Sequence, residues 1–498
     1  MYISALPKEV LLLIGAFLDR DDIIAATSTC RALRSDLASF LWSQLVFPAP
    51  DGTIPVDANT VKAHAHFIHT LTYRTTISPN YTIDFPVLTD LHFDFPLWPS
   101  TFPSTVRPSD PDHYVASIIR LCPRIQNLTL TNVTHLPSYQ LWEAVSATVK
   151  TPCRLSVTRM GSTDKESVQA FWRACTLFED LELLNFDLLR SSELSHFSFP
   201  RLKRLTQQLI PFYGDSIGHA GHLTWMMRCP NLTFLDWRAN SSRFPDSRLV
   251  EAIRQGAWPK LDSFQLTGVT YSDEDSATLL RYFPPLSSFR LSSCGLSELS
   301  FSQLQERHFS TLCILDMNGC TQFSSNMVLS VLSGCPLLEE LSAHYVTVGD
   351  MRQLDPARRS WVCLGLKRLF VFVARDPNYL DSDKLFIEQL SKLKQLEVLD
   401  FGTGPLSDLD GTLAKDLRSR GVPQLRLDSG LTGLAGLKSI VVVAFHGAVQ
   451  SLGIKEIQWM KENWPELQEL SGILSERPDT CTILKEMLRE NGIGSYED

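Results

Sequence analysis

Residues 229–237 read Cys-Pro-Asn-Leu-Thr-Phe-Leu-Asp-Trp, and this nonamer is the unit from which the rest of the chain can be phased. Leu232 is followed three and five positions later by Leu235 and Trp237, and preceded two positions earlier by Pro230. The apolar spacing returns at Ile125/Leu128/Leu130, Leu181/Leu184/Phe186, Leu261/Phe264/Leu266, Leu286/Phe289/Leu291 and Leu312/Leu315/Met317. It continues at Leu338/Leu341/Ala343, Leu366/Leu369/Val371, Leu396/Leu399/Phe401 and Leu437/Ile440/Val442. Leu467/Leu470 is a weaker copy, Leu88/Leu91/Phe93 a first one, and Leu202/Leu205 a degraded one with Gln207 at the third site. The proline is an independent marker. Pro86, Pro123, Pro200, Pro230, Pro259, Pro284, Pro336 and Pro465 all hold the same offset, each after Phe, Cys or Trp. Proline cannot continue a helix and biases its predecessor toward extended backbone, so each one marks where a helix yields to a strand.

Between these strands lie stretches of helical periodicity, such as 273–283, 325–334, 382–395 and 454–464, several opened by Ser or Asp caps. Clear neighbouring copies are 25–30 residues apart, room for one strand and one helix. The pattern resembles leucine-rich repeats, which place an Asn or Cys eight positions after the first aliphatic to turn the chain off the strand. Here Asn240, Val269, Cys294, Cys320 and Val346 hold that place. The resemblance implies an α/β solenoid, a horseshoe with parallel strands on the concave face and helices on the convex face. Side chains alternate along a strand, so residues two, four and six after the first aliphatic should face outward. These are Phe234, Asp236, Arg238, Arg290, Ile314, Asp316, Asn318, Glu340, His344, Arg368, Phe370, Phe372, Val441 and Val443. Aromatics mixed with charge on such a face read as a client-binding surface, with Phe370 and Phe372 foremost.

The N-terminus is of another kind. Residues 6–45 hold three short helix-like runs punctuated by Asp19, Asp21 and Asp22. Val10, Leu11, Ile14 and Leu18 recur at helical spacing, as do Ile23, Thr27, Cys30 and Leu33 or Arg34. A unit of this size seldom folds alone, which calls for a partner surface. The order Leu6-Pro7, Glu9-Val10, Ile14, Leu18, Asp22-Ile23, Cys30-Arg31 and Leu41-Trp42 resembles an F-box over about a tenth of the chain. It departs at Leu33-Arg34, where many members carry Trp three residues after the Cys. The resemblance implies docking onto a Skp-family adaptor of a cullin–RING ubiquitin ligase. Leu6, Pro7, Val10, Ile14, Leu18, Ile23, Cys30 and Trp42 would form the adaptor-binding set. The C-terminal stretches Gly430–Lys438 (GLTGLAGLK), Trp459-Met460 and Trp464-Pro465 are similar to those of large fungal F-box families.

Composition narrows the alternatives. The net charge is −9 and no run of five or six like charges appears, which argues against a nucleic-acid or anionic-membrane surface. Eleven cysteines are scattered without a C-x-x-C, so neither a zinc site nor a disulfide framework is indicated, and reduced thiols in cytoplasm or nucleus are. The run Val10–Leu18 is too short to span a bilayer. As a signal-peptide core it is spoiled by Glu9 before it and Asp19-Arg20-Asp21-Asp22 after it, so the sequons at Asn80, Asn127, Asn132, Asn231 and Asn240 carry no weight. His64, His66 and His69 do not share a helical face and have no adjacent acidic ligand; no metal is expected there, and a solvated linking helix is. No nucleophile elbow, P-loop or dinucleotide fingerprint occurs. Leu431–Gly436 (LTGLAG) precedes no phosphate-type helix, and Asp408 and Asp410 lack a positioned partner.

The resulting expectation is a three-helix F-box over 1–48, then a helical and irregular connector over 49–113 with a degenerate repeat near 85–96. A leucine-rich-repeat solenoid over 114–475 and a C-terminal cap over 476–498 follow. Function follows from the two halves: the head docks the adaptor and the concave face holds a client protein, with no catalytic residue, no cofactor and no metal in this chain. A scaffold of the same build working outside a ligase is the alternative. A leucine-rich GTPase-activating protein would need an acidic tail, and only Tyr496-Glu497-Asp498 offers one.

Overall fold

In the computed structural model the repeat becomes a succession of parallel strands, each entered through a proline turn. The structure describes residues 6–47, 58–73, 83–94, 111–133, 137–160, 165–186, 197–209, 223–239, 247–268, 271–292, 295–354, 360–376, 379, 382–402 and 411–496. Asn80, Asn240, Val269, Cys294, Asp408 and Asp410, and most of the Ser/Pro-dense stretch 97–113, lie outside the described residues.

Two compact units divide the chain, Met1–Leu232 and Thr233–Asp498. In the first, helices α1 (Lys8–Phe17), α2 (Arg20–Thr29) and α3 (Arg31–Ser43) precede seven strands. These are β1 (Gln44–Phe47), β2 (Thr70–Tyr73), β3 (Asp90–Asp94), β4 (Asn127–Thr131), β5 (Arg154–Met160), β6 (Asp180–Phe186) and β7 (Arg204–Leu209). Each pairs in parallel with the next. The second unit has β8 (Phe234–Ala239), β9 (Ser263–Thr267), β10 (Ser288–Ser292), β11 (Ile314–Asp316) and β12 (Glu340–Thr347). It continues with β13 (Arg368–Ala374), β14 (Val398–Asp400), β15 (Val442–Val449) and β16 (Glu469–Ile473), again parallel and in chain order. Helices fill most of the crossovers. The fold is an α/β repeat behind a short helical head.

The register shows why the apolar spacing works. Leu45, Leu71, Leu91, Leu128, Leu155, Leu181 and Leu205 are partners in successive strands and all are buried. In the second unit Leu235, Phe264, Phe289, Leu315, Leu341, Leu369, Leu399, Val443 and Leu470 make the equivalent row. Strands lie about 4.8 Å apart, so these side chains stack directly, and burying each is worth roughly 2 kcal/mol.

In seven of the eight proline copies the first aliphatic donates its N–H to the carbonyl of the residue before the proline, at 3.0–3.4 Å. That puts proline at the second position of a four-residue turn, where its fixed φ is pre-set. The residue before it (Phe85, Cys122, Phe199, Cys229, Trp258, Cys335 or Trp464) is fully buried. The exception is Phe283-Pro284-Pro285-Leu286, because a second proline at the third position disfavours that turn. There buried His308 substitutes: its Nδ1 accepts the Leu286 N–H at 3.1 Å and its Nε2 donates to the Leu280 carbonyl at 2.9 Å.

Register also corrects several expectations. The stretch 49–113, expected as a connector with a degenerate repeat near 85–96, contributes β2 as well as β3 at that repeat, and the ladder already begins at Gln44. The helix Ala58–His64 is not a solvated link: Val61 is buried, and Ala65 and Ile68 just beyond it are buried too. At β6 the first apolar place is Phe178 rather than Leu181, and before β15 it is Ile440 rather than Leu437, since Asp180 aligns with Arg154 and Val442 with Val398. An odd-numbered slip exchanges the two faces of a strand, so Val443 lies in the core instead of outside. The two C-terminal family-like stretches meet: the Trp464 indole N–H donates to the Leu434 carbonyl at 3.1 Å.

Candidate functional site

The head is built around a small core of Leu11, Ile23, Leu33 and Leu37, with Leu6, Leu18, Ala26, Cys30, Phe40 and Leu41 packed on it. Pro7 precedes α1 in extended backbone, and Asp19 caps α2 by accepting the Asp22 N–H at 2.9 Å. Leu33, where the F-box pattern often has Trp, fills the core, and Arg34 Nε donates to the Thr27 carbonyl at 3.2 Å. At Gly15 a Cβ would meet Phe40 at 2.7 Å and Leu37 at 2.9 Å, so α1 crosses α3 at a distance that only glycine permits without a shift.

The outer side of α1 carries the unusual feature. Val10 (38% exposed), Leu13 (64%), Ile14 (39%) and Phe17 (89%) occupy positions i, i+3, i+4 and i+7, and Ile24 of α2 (46%) is exposed as well. A single exposed leucine needs no explanation, whereas a stripe of large apolar side chains on one helix is the kind of surface that interaction sites present.

Of the eight residues expected to bind the adaptor, Pro7, Val10 and Ile14 are exposed, and Leu6 and Leu18 are partly buried against the head's own core. Ile23 is buried there, so its role is to hold α2 in place, and Cys30 is half-buried between α2 and α3. Trp42 stacks on the His64 ring at 4.3 Å and 11°, and stands two residues before Gln44, at the first apolar place of the first repeat. Burial, with His66 close by, holds the His64 imidazole below its ordinary pKa. Leu13 and Phe17 were not singled out in the sequence. The run Val10–Leu18 is apolar all round except at Gly15, so its pattern does not tell the inner stripe from the outer one.

The expected client face divides likewise. Phe234, Arg238, Arg290, Asp316, Asn318 and Phe370 stand half-buried on the outward rows of the second unit. Glu340 of β12 is held by two arginines: Arg290, two strands away on β10, reaches it at 3.1 Å, and Arg368 Nε of the adjacent β13 at 2.8 Å. Burial raises the Asp316 carboxyl above its ordinary pKa, against the N–H of Asn318 and the charge of Arg290. Asp236 is 2% exposed and paired with Arg238 at 2.7 Å. His344 and Phe372 do not belong to an open surface. The β12–β13 register shifts between Ala343 and Tyr345, and from Val371 to Ala374 every residue of β13 is buried, which ends the one-sided alternation.

Thiols at Cys122 and Cys363 are pushed up to about 12 by burial, and Cys175, Cys229 and Cys335 move in the same direction. They are core residues rather than nucleophiles. Among the described residues no three His, Cys, Asp or Glu side chains gather as a metal site, and no helix is long and apolar enough to cross a membrane.

Residues 3–48 match the F-box-like family. No curated protein matches the chain.

Proposed function

We propose that this chain is the substrate-recognition subunit of an SCF-type (Skp–cullin–F-box) ubiquitin ligase. The observation that carries the reading is the coincidence of the F-box-like match at residues 3–48 with an uncovered apolar stripe on α1. F-box domains generally bind Skp-family adaptors. Here Pro7, Val10, Leu13, Ile14 and Phe17 form the docking row, Leu6 and Leu18 line its base, and Leu11, Ile23 and Leu37 keep it in shape. The repeat faces would hold the client, with Phe234 and Phe370 as apolar anchors beside Arg238, Arg290, Arg368 and Asn318. The chain then contributes proximity rather than bond chemistry: a client held beside the ligase's catalytic partners reacts as if at very high local concentration. Such a subunit works in the cytoplasm or nucleus. A scaffold outside any ligase would share the docking row and leave client levels unchanged when deleted.

The test is co-purification of a Skp-family adaptor with the full chain, because α3 runs directly into β1 and the head belongs to a larger unit. Loss of contact at two central apolar anchors costs about 2–4 kcal/mol each. Leu13→Asp/Phe17→Asp should therefore weaken adaptor binding more than ~100-fold while leaving the thermal unfolding profile in place. Failure of the unaltered chain to retain the adaptor would overturn the proposal.

A further inference from the structure

The last helix, Pro478–Glu490, ends in a turn written into the sequence Leu488-Arg-Glu-Asn-Gly-Ile493. Gly492 has φ +74, a left-handed conformation that suits glycine. Its N–H donates to the Arg489 carbonyl at 3.0 Å, and the Ile493 N–H reaches back to the Leu488 carbonyl at 2.9 Å. This pair of bonds, with Leu488 and Ile493 both buried, is the glycine-terminated helix stop of the Schellman type. It does more than stop the helix. It turns residues 493–496 along the outer edge of β16, parallel to it, with Gly494 opposite Glu469.

Three backbone bonds hold them there. Leu470 N–H donates to the Gly494 carbonyl at 3.0 Å, Gly494 N–H to the Gln468 carbonyl at 2.7 Å, and Gly472 N–H to the Tyr496 carbonyl at 2.9 Å. Without this segment, β16 would present a row of open donors and acceptors flanked by buried Leu470 and exposed Ile473. An open row of that kind is a template for another strand.

We infer that residues 493–496 are an edge-closing strand that keeps β16 from pairing with a second copy of this chain. Two copies related by a two-fold axis would join β16 to β16 antiparallel, a closed, self-complementary contact. The second copy is the occupant because it supplies the same unpaired edge at equal concentration. The inference is independent of adaptor binding, since it concerns the opposite end of the sequence.

The experiment compares the full chain, a chain lacking residues 492–498, and full-length Gly492→Val, which keeps the helix but strains the turn. Mass is read by light scattering over a hundredfold concentration range, and amide exchange is read at Leu470 and Gly472. The full chain should keep one mass. At the dilute end, where they are single, both variants should show exchange at these amides roughly tenfold faster or more; at the concentrated end their mass should rise toward twice the single-chain value while strand pairing slows that exchange again. Adding the peptide Gly-Ile-Gly-Ser-Tyr-Glu-Asp (residues 492–498) to the deleted chain should return it to single-chain mass. Variants that stay single over the whole range while their β16 amides open, amides that stay protected in the dilute, single variants, or association that the peptide does not reverse would each overturn the inference.

Discussion

Phe17 and Phe372 are both phenylalanines on regular elements, and they mark opposite ends of one scale. Phe17 projects from α1 with 89% of its surface in water; Phe372 sits in β13 with 2%. From residue spacing alone Phe372 had the stronger claim to an exposed binding role, and Phe17 had none. The difference separates a surface left open from one already filled. The α1 stripe has no intramolecular cover among the described residues, which suits it to the docking role proposed above. Much of the sheet face of the second unit is already satisfied: Glu340 is clasped by Arg290 and Arg368, and Asp236 by Arg238. Their carboxylates are nearly buried while the arginines reach water, so each arginine keeps a buried charge paired. They leave a patterned polar rim around Phe234 and Phe370, suited to selective rather than obligatory contact.

The comparison is broken most forcefully at Phe372 itself. Removing a buried ring leaves a cavity and costs about 3–5 kcal/mol, so Phe372→Ala should lower the unfolding midpoint of the second unit steeply. Phe370→Ala, one alternation away and half-buried, should change stability by under about 1.5 kcal/mol while weakening client capture. Denaturant melts of the two variants check this. Equal losses would show that both rings are core, and the outward rows would then lose their aromatic anchors.

A smaller effect is expected at His308. The imidazole must be neutral, because its Nδ1 accepts the Leu286 N–H that the double proline leaves without a turn bond. Burial, with Arg307 adding to it, lowers its pKa below the ordinary value, while the unfolded side chain titrates near about 6.5. As pH falls below about 6.5 the unfolded state takes up a proton that the folded state resists. Stability should therefore be constant above that pH and decline below it, toward the depressed folded value. His308→Leu should remove this limb and cost about 1–3 kcal/mol at neutral pH, since the Leu286 N–H is then buried without an acceptor. A variant as stable as the parent would show that the Leu286 N–H finds another partner.

How much of this was legible in the sequence depended on local chemistry rather than on distance along the chain. Copies such as Leu232 and Leu338 could be phased because proline has one conformational role at a turn and cannot be mistaken for helix. The β5 copy escaped because Pro152 itself occupies the first apolar place, so a search for an aliphatic there fails. At β6, Leu-Glu-Leu-Leu carries aliphatics on both faces, and only the pairing of Asp180 with Arg154 decides the phase. On α1 the difficulty is the same in helical form, since an all-apolar run has no polar side to point outward. Pro7, Val10 and Ile14 of the exposed stripe came with the F-box resemblance, whereas Leu13 and Phe17 did not. An exposed apolar stripe looks, in sequence, like more core.

The finest test concerns how one repeat fastens to the next, which sets the background against which every surface variant is read. Asp273 opens the helix Asp273–Tyr282, yet its carboxylate caps the helix of the following repeat, Glu298–Arg307. It accepts the N–H groups of Ser297 at 2.9 Å, Ser300 at 3.0 Å and Leu299 at 3.0 Å. Partial burial works to raise its pKa, but these bonds and the Ser300 hydroxyl outweigh it and hold the carboxyl below its ordinary range. A depressed folded pKa means stability that is fully present above the unfolded value near about 3.9 and lost as pH falls through the folded one. Asp273→Asn keeps one acceptor oxygen and removes the charge at a helix N-terminus, so it should cost about 1 kcal/mol at pH 7. The parent and variant should then converge in acid, where the parent's carboxylate is protonated as well. Melts stepped from pH 7 to pH 2 make the comparison: the gap should narrow below about 3.9, and a gap that persists unchanged through the acid limb would assign the loss to shape rather than to the charged cap.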